Sequence, residues 1–491
     1  MMEWLQLSLM IGVFLLMALL MFFRIIPALI ALPLMAFGIP LVAGVSIDDT
    51  MQHVIGGGAT RLANAYTVAL FGSMLSILLQ KTGVAEQFIK KGAELSGDNP
   101  WFIAIIMLSL ITMLFTTLGG LGAIIMIATV VLPIMSSVGI GSMTVVGIFL
   151  FGLSMGGILN AGNWALYIDV MKLSLDQIRP FALTMFGITF VASLVYVTAQ
   201  LYRDGHDLKL KKIIGLSASI IAVVLGGGVI YLLLPAETQS VVQSAFQMML
   251  SGLKHLAAAG MIMLLLITVF QRFIRNNRSE TVGWTAYFTP IIPLFLILIF
   301  NVNFIAAFIC GLVYGFIATF RKGSLNIFVQ SVLEGGAVVM PAIVLMLGIG
   351  MLLNAIIGPG GAWNAANPDG WPVLNLLKPV MAQIVPENGF SYILLFGFAA
   401  PFALYRGPLN VWGMGYGLAA IFLASGMPAA AVMGLMLAVG QVQGISDPTN
   451  THNVWLANEM QQDVQKVLWN TLPYTWILAV LGLVAAALMF Y

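Results

Sequence analysis

The chain has 491 residues, of which 60% are hydrophobic and 8% are charged, and its net charge at pH 7 is +2. Ordinary globular domains carry roughly 25% charged residues, so this composition excludes a soluble protein and indicates a polytopic membrane protein. The small net charge gives no reason to expect nucleic acid as a partner. The single cysteine, Cys310, excludes an internal disulfide and a cysteine-based metal cluster.

The chain offers a dozen or more apolar runs, and a helix needs about 20 such residues to cross a bilayer. The first run (5–23) follows Glu3 rather than a basic residue, which predicts a retained helix and not a signal peptide. Basic residues accumulate in cytoplasmic loops, and one threading makes all of the main basic loops cytoplasmic, with both termini outside. Those loops contain Arg24, Lys81, Lys90, Lys91, Arg203, Lys209, Lys211, Lys212, Arg272, Arg275, Arg278, Arg321 and Lys322.

Paired glycines precede both residues 62–80 and residues 337–357, which marks the two segments as counterparts. In this threading the first segment runs inward and the second runs outward. We therefore predict an all-α polytopic membrane protein with two inverted-topology repeats that contain re-entrant hairpins and broken helices. The predicted parts are transmembrane repeat A (1–201), a two-helix insertion (202–280) and transmembrane repeat B (281–491). Arg61 follows three glycines at a helix start, where we expect an anchor at the membrane interface.

Each repeat contains a glycine-rich interruption between apolar runs of roughly 16 residues, which is short for a full crossing. Re-entrant hairpins fit these lengths, but two full crossings would leave the basic loops on the same sides and stay an alternative. The candidate tip residues in repeat A are Thr116, Thr117, Gly119 and Gly120, which could approach a solute or simply allow close helix packing. In repeat B, Arg406 could pair with a carboxylate, and Asn410 follows closely. The alternative for Arg406 is an ordinary cytoplasmic loop.

One short pattern then occurs in both repeats. Asn160 and Asn163 precede Trp164 in repeat A, and Asn450 and Asn453 precede a tryptophan in repeat B. Clustered amides would break a membrane helix, and the freed backbone groups are tolerated at that depth only beside a cavity. Paired breaks at corresponding positions indicate a solute site. The alternative is that these are interhelical amides or loop residues at the membrane edge.

The second break also contains an acid, Asp447, with Thr449 and His452 close by in the sequence. A carboxylate inside the membrane could take up a proton or bind sodium, so we predict that these three residues form the coupling-ion site. Repeat A has no acid at the matching position. The alternative is an aspartate that ends a helix at the interface. We expect no cofactor and no metal other than a coupling sodium ion.

The C-terminal run 447–457, followed by an amphipathic stretch and a last helix, resembles the end of gluconate permeases. The layout of the whole chain is similar to that of the ion transporter superfamily, which includes citrate and gluconate carriers. This resemblance implies inverted repeats with re-entrant hairpins and broken helices, a homodimer and an elevator movement.

Taken together, these features predict a secondary active transporter of a small organic anion, a carboxylate, coupled to protons or sodium in a bacterial cytoplasmic membrane. Arg406 and the amide dipoles would hold the carboxylate, and Asp447 would couple the cation. The alternative function is a cation/proton antiporter in which Asp447 exchanges Na⁺ for H⁺ without an organic substrate. We expect no enzymatic activity, because the sequence contains no recognisable nucleophile–base set or metal-binding motif.

Overall fold

The computed structural model describes all residues except 1, 24, 96, 98, 209–235, 275–281, 361–362, 364–366, 368–369, 382–384 and 412–414. Within the described residues, eight helices are long and apolar enough to cross a membrane, or nine if one bent pair counts as a single span. This confirms the all-α polytopic membrane class. The number is below the dozen expected because several apolar runs form shorter helices of 10–17 residues.

The described residues of the predicted repeat A form nine helices. The helices are α1 (Met2–Phe22), α2 (Ala28–Val42), α3 (Ile47–Lys81), α4 (Val84–Leu95), α5 (Pro100–Phe115), α6 (Leu121–Ser137), α7 (Ser142–Ile158), α8 (Ala161–Met171) and α9 (Leu175–Arg203). The insertion contributes α10 (Ala236–Val269), and its other predicted helix falls in 209–235, outside the described residues. Outside them as well are Arg24, Lys209, Lys211, Lys212, Arg275 and Arg278.

Repeat B follows with the same kinds of element. Its helices are α11 (Ile292–Phe300), α12 (Phe304–Ala318), α13 (Ser324–Ile357), α14 (Pro372–Met381), α15 (Gly389–Ala399), α16 (Tyr416–Ala424), α17 (Ala429–Ser446), α18 (Thr451–Glu459) and α19 (Val464–Phe490). Each half thus has two helices, a long helix, a short amphipathic helix, a helical hairpin, a broken helix and a last helix. The domain boundaries themselves stay predictions.

The long helices α3 and α13 cross closely and in opposite directions. A Cβ atom at Gly58 would lie 2.5 Å from the Cα of Met351, and one at Gly335 would lie 2.5 Å from the Cα of Met74. A shift of 277 residues converts Gly58 into Gly335 and Met74 into Met351, so the two contacts exchange partners. A twofold relation between the halves produces this exchange, and glycine is required at both contacts because the backbones touch.

Hairpin A consists of α5, the tip 116–120 and α6. Asn99 begins α5 by accepting hydrogen bonds from the backbone N–H groups of Trp101 and Phe102. At the other end, Gly120 has a φ of 83°, a left-handed conformation that favours glycine. With 16 and 17 residues, the two helices are each about 25 Å long, shorter than the roughly 30 Å hydrocarbon core.

Hairpin B consists of α15 with its 3₁₀ extension Ala400–Arg406, a tip and α16. The extension leaves helical geometry at its end, where Tyr405 and Arg406 have φ angles of 54° and 56°. Two successive non-glycine residues in the left-handed region are uncommon and cost free energy. The chain therefore needs other contacts to hold this tip, and these contacts bear directly on the candidate site.

Candidate functional site

The two hairpin tips and the two helix breaks meet around one central cavity of about 560 Å³. Eight of the predicted site residues line it, and they come from four separate elements of the two repeats. They are Thr117, Gly119, Gly120, Asn160, Asn163, Arg406, Asn450 and His452. The fold therefore brings together residues that lie up to 335 positions apart in the sequence, as Thr117 and His452 do.

In repeat A, broken helix A (α7 and α8) bends by 48° at Asn160. The Oδ1 atom of Asn160 accepts a hydrogen bond from the N–H of Gly162 at 2.9 Å and so caps α8. Its Nδ2 atom donates to the carbonyl of Phe115, at the end of α5, at 3.1 Å. One amide thus begins the second half-helix and joins the break to the tip of hairpin A.

The other polar side chains of this break serve the end of α7. Asn163 donates from Nδ2 to the carbonyl of Gly157 at 2.8 Å, and Trp164 donates from Nε1 to the carbonyl of Ile158 at 2.7 Å. A helix end leaves its last carbonyls without intrahelical partners, and such groups are costly where water is excluded. The Asn-x-x-Asn-Trp pattern therefore supplies the donors that a broken membrane helix needs.

In repeat B, broken helix B (α17 and α18) uses its amides in the same way. Asn450 donates from Nδ2 to the carbonyl of Gln443 at 2.7 Å, and Asn453 donates to the carbonyl of Ile445 at 3.0 Å. The Nε2 atom of His452 lies 3.3 Å from the carbonyl oxygen of Gly444. Both copies of the motif thus cap the end of the first half-helix, which explains why the sequence repeats it.

Asp447 is fully buried and is surrounded by hydrogen-bond donors. Its Oδ1 atom accepts from the N–H of Tyr405 at 3.0 Å and from both the N–H and Oγ1 of Thr449, at 2.9 and 2.7 Å. Its Oδ2 atom accepts from Nδ2 of Asn410 at 3.1 Å. Four donors suit a negatively charged carboxylate. Two of them belong to hairpin B, so Asp447 fastens the left-handed tip to the helix break.

Five predicted residues therefore stand behind the cavity wall rather than on it, and they are Thr116, Asn410, Asp447, Thr449 and Asn453. Except for one oxygen of Asn453, their polar side-chain atoms hydrogen-bond to other residues of the protein. Thr116 donates to the carbonyl of Met113 at 2.7 Å, and Asn410 donates to the carbonyl of Ala403 at 3.0 Å as well as to Asp447. The structure does not bring these side chains to a solute in the cavity. The Oδ1 atom of Asn453 is buried and has no partner among the described residues.

Arg406 differs from all of these residues because its side chain is exposed and lines the cavity. No hydrogen bond or ion pair joins it to another described residue. Among the described lining residues, it is the one with a permanent charge, and none is Asp or Glu. No acid among the described lining residues therefore balances the guanidinium charge of Arg406.

Sequence reasoning missed two glutamines near the end of α17. Gln441 accepts a hydrogen bond from Oγ of Ser154 at 2.7 Å, which links the broken helices of the two repeats. Gln443 accepts from the N–H of Val411 at 2.7 Å, which joins broken helix B to hairpin B. Both line the cavity. Their position in the sequence could have identified them, since uncharged polar side chains inside an apolar membrane helix usually have hydrogen-bond partners.

The sequence matches no protein-family model and no curated protein. The fold is similar to that of the YdaH transporter of Alcanivorax borkumensis, with a TM-score of 0.52 and 14% identity over 98% of this chain and 97% of that one. MtrF of Neisseria gonorrhoeae, from a class of antimetabolite efflux pumps, has a TM-score of 0.47 and 14% identity over 90% and 84% of the two chains. The likeness to YdaH shows that this chain shares the fold of that transporter. Membership of the gluconate or citrate carriers stays a prediction.

Proposed function

We propose that the protein is a secondary active transporter of a small organic anion that carries a carboxylate. The observation that carries the proposal is the unpaired, exposed Arg406 in a cavity whose described lining contains no acid. A guanidinium matches the geometry of a carboxylate and stays charged at every working pH. The volume of about 560 Å³ lies in the range of small-molecule sites.

The rest of the lining supports an organic rather than an inorganic anion. Phe308, Met346 and Met436 present apolar side chains to the cavity, while Asn163 and Asn450 add polar atoms. Small-molecule sites commonly combine an apolar wall with a few polar groups that fix orientation. The transporter fold and the paired breaks support movement of the solute across the membrane rather than static binding.

We further propose that a proton or sodium gradient drives transport and that the coupling site lies in break B, the interruption between α17 and α18. Asp447 would be the group that responds to the ion there, with Thr449 and His452 beside it. Protonation of Asp447 would remove its charge and free at least one donor of hairpin B, so a proton could loosen the tip next to Arg406. Direct binding of sodium to Asp447 requires a rearrangement, because donors now surround its oxygens. The buried Oδ1 of Asn453 accepts no hydrogen bond from a described residue, so this oxygen could serve as a sodium ligand instead.

A cation/proton antiporter without an organic substrate fits these features less well. A permanent guanidinium charge in the central cavity would repel a cation by about 4 kcal/mol at 4 Å and an effective dielectric constant of 20. A cavity of about 560 Å³ is also far larger than one ion needs. The cavity therefore favours an organic-anion transporter over an antiporter.

The cellular setting belongs to the same proposal. We propose a multi-pass protein of a bacterial cytoplasmic membrane that forms a homodimer and moves by an elevator mechanism. The apolar segment Ser251–Phe273, which includes the second half of α10, leaves room for a second copy, because only 6% of its apolar window is buried. Its remaining surface contacts either lipid or another protomer. The mass of the detergent-solubilised protein from light scattering separates these two cases.

The direct test is uptake into proteoliposomes that contain the purified protein. Labelled acetate, succinate, citrate, gluconate and benzoate would be offered with an inward proton gradient, with an inward sodium gradient and without either, and the gradients would then be reversed. We expect at least one carboxylate to accumulate above its equilibrium level only with one gradient. Sodium or proton movement without any carboxylate would favour the antiporter.

The matched variants are Arg406→Gln and Lys466→Gln, since Lys466 is an exposed residue at the start of α19, away from the cavity. We expect Arg406→Gln to raise the KM for the carboxylate by about tenfold or more, the loss of one charged hydrogen bond of roughly 1.5–3 kcal/mol. Its melting temperature should not change, because Arg406 has no partner in the described structure. An unchanged KM would remove Arg406 from the site.

A further inference from the structure

A second cavity of about 410 Å³ lies at the far end of α8 from the central one. Its described lining contains a glycine- and proline-rich turn after α13 and polar residues from both repeats. These residues are Gly57, Arg61, Lys172, Asn354, Ile357, Gly358, Pro359 and Gly360. Helix α8 begins at the central cavity with the cap Asn160 and ends next to the second cavity, which Lys172 lines.

Arg61 is held firmly in this cavity. Its Nη1 atom donates to Oδ1 of Asn354 at 2.5 Å and to the carbonyl of Gly358 at 3.3 Å. Asn354 is itself fixed, because its Nδ2 atom donates to the carbonyl of His53 at 2.9 Å. The buried Nε atom of Arg61 has no partner among the described residues. The sequence suggested a simple anchor at the membrane interface, but the structure gives Arg61 a fixed guanidinium with a donor left over.

The charge in this cavity is not balanced by its described lining, which has two cations, Arg61 and Lys172, and no acid. The nearby acid Asp169 is buried and uses both oxygens elsewhere, accepting from Nδ2 of Asn64 at 3.2 Å and from the N–H of Ala65 at 3.0 Å. Lys172 also has a left-handed φ of 58°, which ends α8 and turns the chain at the cavity.

At the equivalent place, at the other end of the helix crossing, a basic residue is paired with an acid. The shift of 277 residues that relates α3 to α13 converts Gly57 into Glu334 and Gly358 into Lys81, so that it exchanges the two sides of the crossing. Lys81 and Glu334 form an ion pair of 2.8 Å there. The crossing therefore has one end with an ion pair and one end whose described lining has two cations and no acid. A twofold frame alone would not produce this difference.

We propose that this second cavity binds a small soluble oxyanion, such as a carboxylate, between Arg61 and Lys172. The fixed guanidinium supplies a directional donor, and the flexible lysine supplies a second charge. In the orientation predicted from the basic loops, this end of the molecule faces the outside, where such a site would concentrate anions near the transporter. The proposal concerns binding only, so its test does not depend on transport through the central cavity.

The test measures the local charge with a single cysteine in detergent. Lys172→Cys would be made in a Cys310→Ser background, since Cys310 is exposed. The rates of reaction would be compared for a negatively charged methanethiosulfonate (the ethylsulfonate) and a positively charged one (the ethyltrimethylammonium). We expect the anionic reagent to react at least about threefold faster relative to free cysteine, because Arg61 remains beside the thiol. Citrate at matched ionic strength should slow the reaction.

Two variants and one control position sharpen this result. Arg61→Gln should bring the rate ratio to that of free cysteine and abolish protection by citrate, whereas Arg61→Lys should keep both. Lys322→Cys, an exposed position in the loop before α13, should show no protection by citrate. If Arg61→Gln does not fold, the Arg61→Lys variant and loss of the preference at 1 M salt carry the test.

Equal rates for the two reagents in the Lys172→Cys variant, or no protection by citrate, would overturn the proposal and leave Lys172 as a cap that offsets the helix dipole of α8. Protection by phosphatidylglycerol micelles without protection by citrate would also overturn it, because the anion would then be a lipid headgroup. Normal transport with a failed labelling test would reject this site alone. Failed transport with a positive labelling test would reject the transport proposal alone.

Discussion

The two helix breaks use the same architecture with opposite hydrogen-bond polarity. In repeat A, a neutral amide of Asn160 donates to a carbonyl of hairpin A. In repeat B, the carboxylate of Asp447 accepts from an N–H group and an amide of hairpin B. Each break is joined to the hairpin tip of its own repeat. The difference shows that a tip can be held through either its carbonyls or its N–H groups.

This difference matters for function because only one of the two side chains that hold the hairpin tips has an ionisable group. Asn160 has no titratable group, so hairpin A is held in the same way at every pH. Asp447 can lose its charge, and hairpin B carries Arg406 at a strained tip. Break A also bends by 48°, whereas the two parts of broken helix B count as one span of 31 residues. We therefore expect repeat A to be the constant half of the site and repeat B the responsive half.

The largest effect should come from Asp447→Asn. The amide would keep the shape but would present one oxygen and one NH₂ group to four donors, so at least one buried donor would lose its partner. Each such loss costs about 1–3 kcal/mol. We expect transport to fall by about 100-fold and the melting temperature in detergent to fall as well. Transport in proteoliposomes and thermal unfolding would measure the two effects.

The matched control is Asp463→Asn, because Asp463 is an exposed carboxylate that caps α19 by accepting from the N–H of Gln465 at 2.8 Å. That change should leave transport within about twofold. If Asp447→Asn binds the anion normally but no longer responds to the gradient, Asp447 is mainly the coupling group. If anion binding and stability fall together while the ion dependence persists, the main role of Asp447 is to hold the tip of hairpin B in place.

An intermediate effect is expected when break A is given the chemistry of break B. In Asn160→Asp, one carboxylate oxygen would replace Nδ2 and face the carbonyl of Phe115, so two acceptors would oppose each other. Asn160→Ala would only lose the bond and the cap of α8, about 1 kcal/mol for each. We therefore expect Asn160→Asp to transport more slowly than Asn160→Ala at pH 8.

The same variant should recover part of its transport at pH 5, because a protonated carboxylic acid can donate to the carbonyl of Phe115. The control is Asn160→Ala, which should show the pH dependence of the parent. A pH-independent Asn160→Asp variant that is faster than Asn160→Ala would mean that the amide does not hold hairpin A. The polarity difference between the breaks would then lack functional meaning.

Local sequence features were sufficient to predict much of this architecture. The repeated asparagine motif, the short apolar runs of the hairpins and the paired glycines all follow from local rules about helix ends and membrane thickness. Together with the hairpin tips, the motif identified eight residues that line the central cavity. These features were predictable because a break in a membrane helix must supply its own donors close by in the chain.

The distant residues that each side chain contacts could not be predicted in the same way. Asp447 stood out as an acid inside the membrane, but nothing in its sequence neighbourhood shows that Tyr405 and Asn410 fill its lone pairs. The hydrogen bond between Ser154 and Gln441, which are 287 residues apart, likewise could not be predicted from the sequence. The sequence predicts only an interfacial anchor at Arg61, because its partner Asn354 belongs to the other repeat. Such contacts depend on the packing of the two repeats against each other.

The smallest effect is expected for His452, and the comparison of the two breaks explains why. His452 occupies the position that Gly162 occupies in repeat A, so a break of this kind can form without a side chain there. Its contact with the carbonyl of Gly444, at 3.3 Å, is also the longest of the caps in break B. A glutamine can donate to the same carbonyl. We therefore expect His452→Gln to change the KM for the carboxylate by less than about threefold and to leave the gradient dependence intact.

The measurement is uptake between pH 5.5 and 8, with Thr451→Ser as the control at the neighbouring lining position. A loss of pH dependence in His452→Gln but not in the control would make the histidine, rather than Asp447, the group that responds to protons, and the responsive part of repeat B would then lie on the cavity wall.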